Sequence, residues 1–94
     1  MKKAALVTLK KDFITALRII SDQGLSDAFA HLSARVDGDK MLFMPRKSPA
    51  LVKSRELFVV DFKKQVPQSS VHQAIYQTRG DVRAVVHFHS FYVI

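Results

Sequence analysis

Apolar residues recur at helical spacing near the start of the chain and in shorter, denser runs further along it. Between residues 8 and 22 they are separated by steps of three and four, which predicts an amphipathic helix. Gly24 stands where such a helix commonly ends. The apolar stripe of this helix consists of Phe13, Ala16, Leu17 and Ile20.

Four shorter segments are rich in β-branched, aromatic and other apolar residues, which is typical of strands. Asp37-Gly38-Asp39 separates the first two segments and predicts a hairpin turn. A second helix is expected over residues 69–79, before the last strand. The order helix, three strands, helix, strand predicts an α/β or α+β fold with a mainly antiparallel sheet. The predicted strands cover residues 30–36, 41–44, 57–62 and 82–88.

Composition limits the chain to a single small domain over residues 1–94. Its 94 residues are 48% hydrophobic and include no cysteine, so a metal site would have to use histidine or carboxylate ligands. The apolar run after Lys3 is too short for a signal peptide, and no stretch approaches the ~20 apolar residues of a membrane span. We therefore expect a cytoplasmic protein that does not enter a membrane.

The chain carries a formal net charge of +7, from 15 basic and 8 acidic residues. Such a balance can indicate a nucleic-acid binder, but the basic residues are scattered and form no stripe. We therefore expect no nucleic-acid partner, and interpret the charge as a solvated surface that favours anionic small molecules.

His87 and His89 are separated by one residue near the end of the chain. On a strand, alternate side chains point to the same face, about 6.5–7 Å apart. Two imidazoles at that spacing can bind one zinc ion, with bonds of about 2.0–2.1 Å. The spacing alone also fits two ordinary histidines at the end of a strand.

Three blocks of sequence, the last of which contains these histidines, form a pattern when they are taken together in chain order. Residues 71–90 combine a helix containing His72 and Tyr76 with a Val-Val-His-Phe-His strand. Residues 24–35 precede them with Ala-His-Leu-Ser-Ala-Arg, and residues 44–52 contain Met-Pro-Arg-Lys-Ser-Pro. Together the blocks resemble the N-terminal half of the class II aldolase/adducin family.

The resemblance implies an α/β/α sandwich around a largely antiparallel sheet, of which this chain holds the N-terminal half. Family members include sugar-phosphate aldolases, epimerases, dehydratases, decarboxylases and non-catalytic adducins. The enzymes hold zinc or a similar divalent metal with three histidines, and the first two match His87 and His89. The third lies downstream of the residues present here. A homo-oligomer, in the family a tetramer, and a hydroxy-carbonyl or carboxylate substrate are also implied.

The resemblance also assigns residues outside the histidine pair. His31, Arg46 and Ser48 match substrate-binding positions, whereas His72 is interpreted as a structural side chain. Gln68 stands where family enzymes usually place the catalytic glutamate, and an amide cannot transfer a proton as a carboxylate does.

Two further departures concern phosphate binding. Lys47 replaces a loop glycine, and the paired serines expected before the catalytic position are absent. These changes favour the decarboxylase-like branch over the sugar-phosphate aldolases.

Two functional hypotheses follow from these assignments. The first is part of a zinc-dependent lyase that cleaves a C–C bond, by aldol cleavage or decarboxylation, through a metal-stabilised enolate. The alternative is a catalytically inactive relic or an adducin-like assembly module, which the amide at Gln68 favours.

Overall fold

The computed structural model describes residues 2–24, 30–64 and 69–87. In this part of the chain no helix is long and apolar enough to cross a membrane. The helices are α1 (Lys3–Asp22) and α2 (Ser70–Thr78), with a 3-10 turn at Ser54–Glu56, and the strands are β1 (His31–Asp37), β2 (Lys40–Phe43), β3 (Phe58–Asp61) and β4 (Ala84–His87).

The four strands form one sheet in the order β3-β2-β1-β4, and every neighbouring pair is antiparallel. α1 packs on one face of the sheet and α2 on the other, which confirms the predicted α/β/α sandwich. The predicted strands and the second helix agree with the structure to within one or two residues wherever their ends are described.

α1 begins earlier than the sequence pattern predicts, at Lys3 instead of residue 8. The preceding Ala4, Ala5 and Leu6 are favourable in helices, and Leu6 packs against the core. The apolar contact therefore extends the helix by more than one turn. Gly24 was predicted correctly as its end, because it adopts a φ of +62° that side chains rarely allow.

The core between α1 and the sheet is entirely apolar. Phe13 and Leu17 of α1 are buried there, at the centre of the predicted stripe. Alternation along the strands supplies the opposing side chains, since every second residue points to this face. The sheet and the following loop contribute Leu32, Ala34, Leu42, Met44, Val52 and Leu57.

The core on the α2 side mixes apolar and polar side chains. Met41, Phe43 and Val60 of the sheet pack there with Tyr76 of α2. The residues of β1 that face this side are polar, and one of them, Ser33, is nevertheless fully buried. Buried polar groups need partners, and the polar residues of this face therefore determine how α2 is placed.

Arg35 of β1 supplies many of these partners. Its side chain is 9% exposed and lies over the rings of Tyr76 and Phe62, with the guanidinium carbon 4.9 and 5.5 Å from the ring centres. The guanidinium donates to four backbone carbonyls, at 2.6–3.2 Å. These belong to Gly38, Tyr76, Arg79 and Val82.

These bonds connect the β1–β2 hairpin, the end of α2 and the segment leading to β4. We predict that Arg35→Lys lowers the free energy of unfolding by about 2–4 kcal/mol, because an ammonium cannot replace four donors held in one plane. Urea denaturation followed by circular dichroism would measure the loss.

Arg55→Lys is the matched control, since Arg55 is exposed in the 3-10 turn and a surface change of this kind stays within about 0.5 kcal/mol. Equal stability of the two variants would show that the Arg35 bonds contribute no net stability.

Candidate functional site

His31 and His87 lie directly opposite each other on β1 and β4. Directly opposed residues of an antiparallel pair point to the same face, with Cβ atoms about 4.5–5.5 Å apart. The pair faces the α2 side, together with Ser33 and Arg35, which lie two and four residues beyond His31 on β1. The pairing of β1 with β4 therefore brings together two histidines that are 56 positions apart in the sequence.

His72 of α2 lies beside this pair. Its ring centre is 6.5 Å from that of His87 and 5.1 Å from that of Phe43, in an edge-to-face contact. His31 stacks on the same phenylalanine at 5.9 Å. Three imidazoles therefore gather on one face of the sheet, two of them against a shared aromatic ring.

A chain of hydrogen bonds fixes the His72 ring. Ser33 Oγ lies 2.6 Å from His72 Nδ1 and 2.8 Å from the Tyr76 hydroxyl, and all three residues are buried. The other ring nitrogen, Nε2 of His72, is buried and has no hydrogen-bond partner within the described residues. One side of the ring is thus held by two hydroxyls, and the other side presents an unpaired nitrogen.

Two histidines of this face, His72 and His31, are poor proton acceptors. Burial, together with smaller contributions from the nearby His31 and His87, lowers the pKa of His72 to about 4. The pKa of His31 is also below its ordinary value, first because of burial and then because of Arg46 and His87. At neutral pH both rings are therefore uncharged, and each keeps a nitrogen lone pair.

The loop after β2 carries Arg46 and Ser48, and it brings Arg46 near His31. Arg46 is exposed and close enough to His31 to lower its pKa. Ser48 is half-buried, and its carbonyl accepts a hydrogen bond from the Leu51 N–H at 2.9 Å. The two side chains assigned to substrate binding are thus carried by one short loop.

Contacts from two directions hold this loop. Arg18 of α1 donates to the carbonyls of Pro49 and Val52, both at 2.6 Å. Lys47 forms an ion pair with Glu56, whose second oxygen accepts the Lys53 N–H at 2.9 Å. Lys47, which by the resemblance replaces a glycine, is therefore paired with Glu56. Arg46 has no ion pair within the described residues.

The donor set of the face fits a transition metal. Imidazole nitrogens suit zinc, copper and nickel, whereas magnesium and calcium prefer oxygen. The unpaired Nε2 of His72 is the kind of buried polar atom that a metal can satisfy. Within the described ranges, no three histidine or carboxylate side chains lie close enough together to hold a metal ion by themselves.

The structure places four of the six predicted site residues. His31, Arg46 and His87 belong to one neighbourhood, and Ser48 lies on its loop. Gln68 and His89 lie outside the described residues, so their assignments stay predictions.

The hydrogen-bonded set of Ser33, His72 and Tyr76 was not predicted from the sequence. The sequence did contain one indication of this hydrogen-bonded set. His31, Ser33 and Arg35 are polar residues at alternate positions of a strand, and the residues between them are apolar. Period-two polarity on a buried strand indicates a polar network on one face.

The sequence matches the model of a known protein family. The model of the class II aldolase and adducin N-terminal domain matches residues 11–94. A search of curated protein sequences found no match.

Solved structures share the fold at low sequence identity. An L-fuculose 1-phosphate aldolase from Glaciozyma antarctica superposes with a TM-score of 0.83 at 23% identity, covering 96% of this chain and 43% of that one. YgbL from Escherichia coli, described as a candidate aldolase/epimerase/decarboxylase, gives 0.81 at 20% identity, covering 92% and 46%. The chain therefore spans less than half the length of these proteins.

An aldolase II superfamily protein from Pseudomonas syringae gives a TM-score of 0.75 at 23% identity, covering 87% of this chain and 39% of that one. At these identities the structures establish the fold alone.

The low pKa of His72 predicts how stability depends on pH. An unfolded histidine binds a proton near pH 6.5, whereas folded His72 does so only near pH 4. The stabilisation is therefore complete above pH 6.5 and is lost as pH falls toward 4. We expect the free energy of unfolding to drop by about 2 kcal/mol from this group between pH 7 and 5.

His72→Asn should flatten this pH dependence, because asparagine keeps a polar group at the position of Nδ1 and does not titrate. Urea denaturation at pH 5, 6 and 7 measures both slopes. An unchanged slope in the variant would show that His72 does not titrate as the structure indicates.

Proposed function

Because the chain belongs to the class II aldolase and adducin family, we propose that it forms the N-terminal part of a metal-dependent lyase that cleaves a C–C bond. The substrate we propose is a small hydroxy-carbonyl or carboxylate compound, and the reaction we favour is decarboxylation. The metal is zinc or a similar divalent ion, with His87 and His89 as its ligands from this chain. The remaining ligand and the rest of the fold belong to residues that this chain does not include.

The observation that carries the proposal is the pairing of His31 with His87 beside Arg46. A neutral imidazole, a candidate metal ligand and a guanidinium with no ion pair among the described residues then border one site. No carboxylate is among the groups that shift the pKa of His31 or His72. Such surroundings favour negative charge, which both a carboxylate substrate and the product of bond cleavage carry.

A metal held by His87 and His89 would supply a Lewis acid that polarises a substrate oxygen and stabilises negative charge. Arg46 binds the anionic group of the substrate and orients it, since guanidinium donors match the geometry of a carboxylate. His31 has a ring nitrogen available for a hydrogen bond to the substrate, because it is uncharged at neutral pH. The aromatic ring of Phe43 holds it in place.

Decarboxylation suits the residue at position 68. Aldol cleavage begins with removal of a hydroxyl proton, for which the amide of Gln68 offers no base. Loss of carbon dioxide begins without a base. The electron pair left on carbon is then protonated, and water can supply that proton.

The ion pair of Lys47 with Glu56 also supports a carboxylate. A phosphate carries close to two negative charges, and a second unpaired cation on the loop would favour it. Here Lys47 is paired with Glu56, and of the two basic residues of this loop Arg46 remains for the substrate.

An inactive relic or adducin-like assembly module is the second candidate. The amide at Gln68 favours it, and so do exposed apolar residues on the described surface, such as Val7, Ile19 and Val86. Exposed apolar surface is typical of association. A homo-oligomer belongs to both proposals, and the cytoplasmic location stays a prediction.

The first test replaces His87 in a protein completed with the C-terminal half of a family member. We expect His87→Ala to lose bound zinc and to lower turnover at least about a hundredfold, since a metal contributes several kcal/mol to such a reaction. Zinc content is measured by atomic absorption, and turnover with a panel of hydroxy acids.

Arg83→Ala is the control, because Arg83 is exposed immediately before β4. Unchanged zinc content in His87→Ala would refute the metal assignment. Absence of turnover in the completed protein, with an unchanged oligomeric state in His87→Ala, would favour the assembly module.

The second test restores the carboxylate. Gln68→Glu in the completed protein should increase aldol cleavage by about 10²–10⁴-fold, the usual contribution of a general acid or base. Decarboxylation should change by less than about tenfold, because its bond cleavage needs no base. Both rates are measured with matched hydroxy-carbonyl and carboxylate substrates.

Gln65→Glu makes the same charge change three residues earlier and is the control. An equal gain in the two variants would show an effect of charge alone and contradict the assigned role of position 68.

A further inference from the structure

Glu56 holds Lys47, one of the two adjacent basic residues on the loop after β2. One oxygen of the Glu56 carboxylate forms an ion pair with the Lys47 ammonium. The other oxygen accepts a hydrogen bond from the backbone N–H of Lys53 at 2.9 Å. The bond from Lys47, and then the bond from Lys53, lower the pKa of Glu56. Glu56 is therefore ionised at neutral pH, and both of its oxygens have a donor from this loop.

The backbone between Lys47 and Glu56 is held in place from α1. Arg18 donates hydrogen bonds to two carbonyls of this segment, those of Pro49 and Val52, both at 2.6 Å. An exposed ion pair usually contributes little, partly because two long side chains must be ordered. Here the segment that joins the two charges is already fixed, and Glu56 is also fixed by its second bond. The ion pair is therefore favoured over a freely moving lysine.

Lys47 directly follows Arg46, which we assign to the anionic group of the substrate. The Cα atoms of neighbouring residues are about 3.8 Å apart, and a lysine carries its ammonium on a flexible four-carbon stem. Once released from Glu56, the ammonium of Lys47 is therefore within reach of an anion at Arg46. A phosphate monoester carries about 1.5 to 2 negative charges at pH 7, whereas a carboxylate carries one. A second cation consequently benefits a phosphate more than a carboxylate.

We propose that Glu56 is a specificity-determining residue, which withholds Lys47 from the site and thereby favours a carboxylate substrate over a phosphate ester. The inference deepens the proposed function and rests on its assignment of Arg46 to the substrate anion. It gives a role to a residue outside the positions that the resemblance identifies. Glu56 does not contact the substrate in this role, because it acts through Lys47.

The test measures binding of acetate and methyl phosphate to the 94-residue chain at pH 7.5, by NMR from the shifts of the loop amides. Glu56→Gln keeps an oxygen for the Lys53 N–H but has no charge for Lys47. We expect this variant to bind methyl phosphate at least about fivefold more tightly than the wild type, because the released ammonium adds a charge-assisted hydrogen bond. Its affinity for acetate should rise by less than about twofold, since the single charge of acetate already has Arg46 as its partner.

Asp39→Asn is the matched control. It removes the same charge from the partner of another lysine, since Asp39 pairs with Lys63 at 3.9 Å. Asp39 precedes β2, whereas the loop with Arg46 follows it. The control should change both affinities equally and by less than about twofold, because salt screens exposed charges that are far apart. An equal gain in methyl phosphate binding in Glu56→Gln and Asp39→Asn would reflect net charge alone and overturn the proposal.

A double variant tests whether Lys47 is the cation responsible. Lys47→Gln combined with Glu56→Gln should lose the gain in methyl phosphate binding, because the released ammonium is absent. Lys53 and Arg55, the exposed basic residues beside Glu56 in the sequence, are unchanged in this variant. A gain that persists would come from such other cations and would contradict the role of Glu56.

Arg46→Ala separates this inference from the proposed function. If Arg46→Ala loses acetate binding while Glu56→Gln leaves the preference between the two probes unchanged, only the role of Glu56 fails. If Arg46→Ala binds acetate as the wild type does, or if the wild type binds neither probe, the anion site of the proposed function fails and this inference fails with it.

A measurement on the wild type covers the case in which Glu56→Gln does not fold. The ammonium signal of Lys47 is followed by NMR in the chain with labelled lysine as methyl phosphate is added. We expect this signal to stay in place, because Glu56 retains the ammonium. A shift of the Lys47 signal that saturates together with the shifts of the loop amides would show that phosphate recruits Lys47, and it would overturn the proposal.

Discussion

The position of the candidate site depends on the hydrogen bonds of one buried guanidinium. Arg35 binds the carbonyls at the end of α2 and the carbonyl of Val82, just before β4. The chain between these points must therefore leave the helix and enter the sheet beside β1. This connection sets the register of β4, and the register places His87 opposite His31. A salt bridge could not do the same, because only a planar group with several donors reaches separate carbonyls at once.

The second constraint is satisfaction of the polar groups that α2 buries. Ser33, His72 and Tyr76 come from β1 and from successive turns of α2, and each uses another as a partner. Apolar packing alone would tolerate a shift of the helix along the sheet, whereas these directional bonds permit one position. Within the described residues, the cost is one buried nitrogen of His72, Nε2, that has no hydrogen-bond partner.

Local patterns in the sequence were sufficient for the elements but not for the network. The period of apolar residues gave α1, the strands and α2, since each depends on neighbours a few positions away. The start of α1 at Lys3 was missed because Leu6 is stabilised by tertiary contact with the core. Ser33 and Tyr76 are 43 positions apart, and no local pattern pairs them. His31 and His87 could be expected at one site only through the resemblance, because strand register is not visible in a single sequence.

The balance of charge at this site bears on the reaction it can support. The described part contributes the uncharged imidazoles of His31 and His72 and the guanidinium of Arg46, and the acid of the loop, Glu56, is occupied by Lys47. These groups suit an anion and the stabilisation of negative charge, but His72 and His31 are weak bases because their pKa values are lowered. A reaction that starts by releasing carbon dioxide needs no base. One that starts by deprotonating a hydroxyl does need one. The same burial that makes these histidines weak bases keeps their ring lone pairs free of protons at neutral pH. Both effects have one physical cause, the packing of α2 against the polar face of β1.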